Sequence, residues 1–259
     1  MCIAAQEESG LIYKRRFALP GHEADFTGRW RPACVLDEMQ RAAESHSESL
    51  GTGHRMLEGH GIFWVISRIR VKMKTYPAWG EEIVSATWPR NMGDRIFPRE
   101  YRFTRPDGEL LGEATAVFLL KHRETGQIVR APDGLVIPET DLRGASPFLG
   151  LGKLTGGRDM RPAGSRRPRY SDIDVNGHVN NQRYAQWVCD LFEPERFRES
   201  SIETLQINFL LETGPGDSIA LYLCEEGNRS FICGRQALTG EKAFEALCEW
   251  NGANRLDEG

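Results

Sequence analysis

The chain has 259 residues, 40% of them hydrophobic and 27% charged, a mixture that supports one large packed domain or two small ones and argues against wholesale disorder. Its formal net charge of −4 lacks the basic excess of a nucleic-acid-binding domain, and no apolar run approaches the roughly 18 residues of a membrane span. The opening MCIAAQEESG carries acids where a secretory signal would carry basic and then apolar residues, so a cytoplasmic protein is expected.

An alternating segment at 11–17 opens the first half. Residues 33–50 predict a helix, with Leu36, Met39, Ala42, Ala43 and Leu50 on one face and Gly51 and Gly53 to stop it. Strands are expected at 63–76, 82–88, 96–104 and 111–121. Turn signals separate them: Pro77 with Gly80, residues 91–94, and Arg105-Pro106-Asp107-Gly108. A helix followed by an antiparallel meander is the pattern of a hot-dog unit, whose sheet wraps its helix. Residues 131–163 hold several Gly and Pro and no long periodic run, which predicts a linker.

The second half repeats the plan. A strand near 165–171 leads into a polar loop. A helix at 180–192 follows, with Tyr184, Trp187, Val188, Leu191 and Phe192 forming one apolar stripe and Pro194 ending it. Strands are expected at 202–211, 218–224, 230–236 and 243–249. Setting Gly80-Glu81 against Gly216-Asp217 aligns the halves and puts Tyr76 opposite Glu212. The expected fold class is therefore α+β, a tandem double hot-dog imitating a dimer within one chain. Its units are residues 1–130 and 164–259, joined by the linker. Cys2, Cys34, Cys189, Cys224, Cys233 and Cys248 form no C-x-x-C pair, so zinc ribbons and thioredoxin-type sites are unsupported and the thiols read as small buried hydrophobes. No metal or cofactor is implied.

The loop Tyr170-Ser171-Asp172-Ile173-Asp174-Val175-Asn176-Gly177-His178-Val179-Asn180-Asn181 joins a strand to a helix, a junction where accessible groups are held by rigid neighbours. Asp174, Asn176 and His178 alternate, and in an extended segment they project the same way. Carboxylate, amide and imidazole on one pocket are the parts of an acid–base site. Asp and Asn are also common turn formers and caps, so a purely structural loop stays open on these residues alone.

The run RRPRYSDIDVNGHVNNQRY, residues 166–184, resembles the signature of acyl-acyl-carrier-protein thioesterases, D-x-N-x-H-V-N-N followed by an aromatic helix. Trp64-Val65-Ile66-Ser67-Arg68-Ile69-Arg70-Val71, Tyr76-Pro77-Ala78-Trp79-Gly80-Glu81 and Thr87-Trp88 resemble a second family block, and Gly112-Glu113-Ala114-Thr115-Ala116 a third, looser one. The resemblance spans about residues 11–250.

It implies hydrolysis of fatty acyl-acyl-carrier-protein thioesters, releasing free fatty acid and ending chain elongation. It implies catalytic roles for Asp174, Asn176, His178 and Glu212. Where many plant members carry a cysteine after that glutamate, this chain has Thr213, a far poorer nucleophile, so attack by water is expected. Glu212 or His178 would be the general base, Asn176 would place the water or the carbonyl, and backbone N–H groups at 179–181 would receive the oxyanion. The first half has Ala24-Asp25-Phe26-Thr27-Gly28-Arg29-Trp30 in the corresponding place, without N-x-H, so one active site is expected. The resemblance puts acyl-chain binding largely in the first half, where Met39, Ala42, Trp64 and Ile66 are candidate lining residues or plain core. Acyl carrier protein is acidic. Arg158, Arg161, Arg166, Arg167, Arg169 and Arg183 around the loop are thus candidate docking residues, or simply a solvated basic face. Association into a homodimer stays open. The competing readings are a coenzyme-A thioesterase or hydratase of the same fold, and a non-catalytic module that senses acyl thioesters.

Overall fold

A computed structural model describes residues 6–90, 93–138 and 151–252. Helix α1 (Pro32–Ser49) starts on Pro32, whose missing N–H is harmless in a first turn, and ends beside Gly51 at φ +70°. It buries Leu36, Met39, Ala42 and Ala43 of the expected face, together with Val35, Glu38 and His46, while Leu50, expected on that face, caps the helix and is half-buried. Before it come β1 (Gln6–Ser9) and β2 (Ile12–Ala18). After it come a short α2 (His54–Glu58) and the strands β3 (Ile62–Met73), β4 (Glu82–Pro89), β5 (Phe97–Thr104), β6 (Leu110–His122) and β7 (Ile128–Val129).

The second half holds β8 (Arg161–Arg166), α3 (Asn181–Cys189), α4 (Pro194–Glu199), β9 (Ser200–Phe209), β10 (Ile219–Glu226), β11 (Arg229–Gln236) and β12 (Lys242–Gly252). Two boundaries depart from expectation. The helix expected over 180–192 stops at Cys189, and Pro194, expected to end it, instead opens α4 at its first position, where proline is tolerated. The strand expected at 165–171 lies earlier, because pairing with β10 selects Arg161–Arg166, and Tyr170–Asp172 forms a 3₁₀ turn. The central part of the expected linker, 139–150, lies outside the described residues.

All strands join one sheet in the order β1-β2-β4-β5-β6-β3-β9-β12-β11-β10-β8, with β7 beside β6. The halves meet at the antiparallel β3–β9 pair, from Arg68 opposite Asn208 to Lys72 opposite Thr204. Setting Gly80 against Gly216 also sets Arg68 against Thr204 and Lys72 against Asn208. The ladder thus maps onto itself, as at a two-fold axis. α1 and α3 pack against one another, and one apolar core runs through both halves, from Trp30 and Phe103 to Tyr184 and Phe244. A smaller cluster of Leu57, Ile62, Phe97 and Leu120 lies under α2. This is the double hot-dog expected from the sequence.

Candidate active site

The loop before α3 is a tight turn, where an extended segment was expected. The Asp174 carbonyl accepts from the Gly177 N–H at 3.0 Å, and the Asp174 N–H donates to the His178 carbonyl at 2.8 Å. Gly177, at φ +81°, supplies the left-handed position that this closure requires. Asp174 Oδ1 accepts the Asn176 N–H at 2.8 Å, so its carboxylate pins the turn. Val175 is thereby thrown outward, 97% exposed.

Further bonds fix the loop to its surroundings. The Val179 N–H donates to the Thr213 carbonyl at 2.8 Å, and the Asn180 N–H to the Asp172 carbonyl at 2.9 Å. Asn180 caps α3 by accepting the Gln182 N–H at 2.9 Å, and its amide donates to Gln40 Oε1 of α1 at 3.3 Å. Two of the three N–H groups expected to receive an oxyanion are therefore already engaged. Among the described residues, only that of Asn181 has no protein acceptor.

The turn carries His178 towards Glu212, which lies just past the end of β9. His178 Nε2 is 3.5 Å from Glu212 Oε2, and both side chains are a little over one-third exposed. The Asn176 amide makes no hydrogen bond to a described residue, which leaves it available to a ligand. The structure thus brings His178 to Glu212, while Asp174 acts through the backbone of the turn that also carries Asn176.

Sequence reasoning missed one neighbour. Lys121, near the end of β6 in the first half, places Nζ 2.5 Å from Glu212 Oε2. Motif spacing carries no trace of it; only the order β6-β3-β9 brings the two strand ends together.

Thr213 is fully buried, whereas Glu212 one residue earlier faces solvent. The described cysteines offer no thiolate either. Burial raises the thiols of Cys34 to about 11 and Cys189 to about 12, and it raises those of Cys224, Cys233 and Cys248 as well. Cys2 lies outside the described residues.

Met39 and Ala42 are fully buried on α1. Trp64 and Ile66 are half-buried on β3; the Trp64 indole N–H donates to the Thr52 carbonyl at 3.2 Å, and its ring meets Phe97 edge-on at 4.9 Å. The arginines divide into two sets. Arg183 pairs with Asp172 and bonds Gln186 and the Ser171 carbonyl, Arg166 pairs with Asp190, and Arg161 pairs with Glu225. Arg158, Arg167 and Arg169 are exposed and make no ion pair with a described residue. Tyr170, 98% exposed, lies beside Arg169.

Residues 10–138 match the acyl-ACP thioesterase N-terminal domain and residues 163–252 the acyl-ACP thioesterase C-terminal domain. The chain belongs to the acyl-ACP thioesterase family. Among curated proteins it is 24% identical over 234 residues to a chloroplastic acyl-[acyl-carrier-protein] hydrolase of Cuphea viscosissima, covering 80% of this chain and 53% of that one. It is 24% identical over 262 residues to the chloroplastic dodecanoyl-[acyl-carrier-protein] hydrolase of Umbellularia californica, covering 93% and 68%. The chain spans about half the length of the first of these relatives. Its fold is that of the 12:0-ACP thioesterase from Umbellularia californica, with a TM-score of 0.82, 22% identity and coverage of 95% and 100%. An acyl-ACP thioesterase from Bacteroides thetaiotaomicron gives 0.79, 23%, and coverage of 93% and 98%.

Proposed function

We propose that this chain hydrolyses the thioester of fatty acyl-acyl carrier protein, releasing free fatty acid and ending chain elongation. The observation that carries the reading is the approach of His178 Nε2 to within 3.5 Å of Glu212 Oε2 at a partly exposed point, on a turn whose Asn176 amide makes no hydrogen bond to a described residue. Family membership and the relatives named as acyl-carrier-protein hydrolases support it.

Water is the nucleophile in this reading, since Thr213 is buried and burial keeps the described thiols protonated. The Glu212 carboxylate takes a proton as the water oxygen joins the acyl carbon. Asn176 holds the water or the carbonyl oxygen. When the C–S bond breaks, the proton passes through His178 to the departing thiolate, leaving acid and thiol. Asp174 keeps the turn closed so that Asn176 and His178 stay aimed.

Acyl carrier protein is then the partner and the cytoplasm the compartment. Exposed Arg167, Arg169 and Tyr170, which precede the Asp174–His178 turn in sequence, offer an acidic protein charged and aromatic contacts. The test is free fatty acid release from a panel of acyl-acyl-carrier-protein substrates beside matched acyl-coenzyme A. Faster release from the carrier protein is the expected result. Preference for coenzyme A would keep the hydrolase and remove the docking surface, and binding without release of acid would overturn the hydrolase.

A further inference from the structure

Glu212 is held by a side chain that belongs to no motif. Lys121 is registered opposite Phe63 of β3 on one side and Ile128 of β7 on the other, so its backbone is fixed from both flanks. Its ammonium, 19% exposed, lies 2.5 Å from Glu212 Oε2, the same oxygen that His178 Nε2 faces at 3.5 Å. Glu212 Oε1 has no partner among the described residues. A carboxylate fixed through one oxygen and open at the other is arranged to take a proton at the open one.

The other half of the pseudo-dimer gives the contrast. Tyr76 stands where Glu212 stands, and its hydroxyl donates to the Ile202 carbonyl at 2.9 Å. No ammonium meets it among the described residues.

We propose that Lys121 is a positioning residue for Glu212, and that the first half thereby completes the active site of the second. This rests on the thioesterase reading above. Lys121 pins Oε2, so that the open Oε1 is aimed to accept the proton of the attacking water. The lysine exchanges no proton; the O–H bond of water breaks, its oxygen bonds the acyl carbon, and the C–S bond breaks as before. A partly exposed ion pair adds little to stability, so its loss leaves the fold intact.

The test measures kcat and KM on the best acyl-acyl-carrier-protein substrate for wild type, Lys121→Met, Lys121→Arg and Lys121→Ala, with thermal unfolding of each. Lys121→Met is expected to lose about 10- to 100-fold in kcat with KM little changed. Lys121→Arg should recover most of the loss, and added ethylammonium should restore part of the activity of Lys121→Ala. If Lys121→Met does not fold, Lys121→Gln serves the same comparison. Wild-type kcat in Lys121→Met overturns the proposal. So does a loss confined to KM, which would make Lys121 a docking charge, or a loss that neither arginine nor ethylammonium repairs. A wild type that hydrolyses no thioester overturns the functional reading itself, a different failure.

Discussion

The turns Asp25–Arg29 and Asp174–His178 occupy matching places in the two halves and share one skeleton. In the first, the Asp25 carbonyl accepts the Gly28 N–H at 2.9 Å and the Asp25 N–H donates to the Arg29 carbonyl at 2.8 Å; in the second the same bonds measure 3.0 and 2.8 Å. Gly28 and Gly177 have φ of +78° and +81°. Asp25 Oδ1 accepts the Thr27 N–H at 2.7 Å as Asp174 Oδ1 accepts that of Asn176. The Trp30 N–H donates to the Pro77 carbonyl as Val179 does to Thr213. What differs is cargo: Thr27, Arg29 and Tyr76 in one half, Asn176, His178 and Glu212 in the other. The aspartate that closes the turn is common to both, and the residues the turns present differ.

The comparison breaks most sharply at Glu212. Glu212→Gln should lower kcat by about 10³-fold, whereas Tyr76→Phe should leave kcat near wild type; steady-state hydrolysis measures both. Thr213→Ala should cost no more than a few-fold in kcat. Equal losses at Thr213 and Glu212 would remove the water mechanism.

The two aspartates sharpen it. Asp25→Ala and Asp174→Ala each release a turn and should lower stability by about 1–2 kcal/mol in denaturant unfolding. Asp25→Ala should cost more, because Asp25 Oδ1 also accepts from the Thr27 hydroxyl and the Arg29 N–H. Only Asp174→Ala should lower kcat as well.

A third prediction concerns pH and a buried histidine of the first half. His46 of α1 is buried, with Nδ1 3.0 Å from Arg99 Nη1, and burial first, then the Arg99 charge, lowers it to about 4. Between an unfolded value near 6.5 and the folded value near 4, only the unfolded chain takes up this proton. Stability contributed by His46 is therefore full above about pH 6.5 and falls by about 3 kcal/mol as pH drops to 4. The difference between wild type and His46→Asn, measured by unfolding at several pH values, should shrink over that window.

The smallest effect is expected at the arginines. Arg167→Glu with Arg169→Glu should raise KM for the carrier-protein substrate several-fold and spare small thioesters. Arg166→Glu, at a residue already paired with Asp190, should do less.

Much of this was legible in the sequence because local pattern and packing agree. The apolar face of α1 and the β3, β4, β5 and β6 meander follow periodicity to within a few residues. The Asp174–His178 turn reads as extended in the sequence because alternation in D-I-D-V-N-G-H imitates a strand; Asn176-Gly177 is the contrary signal, and the Gly177 conformation decides it. β8 carries Pro162 and Gly164 with no apolar alternation, so only its partner β10 reveals its position. Lys121 was invisible because its meeting with Glu212 joins residues 91 positions apart.

The most direct test of the account is release of free fatty acid from an acyl-acyl-carrier-protein panel by wild type and Glu212→Gln side by side. Rapid release by wild type on at least one substrate, with almost none by the variant, is the predicted result. Equal release by both, or none above buffer by wild type, would contradict it.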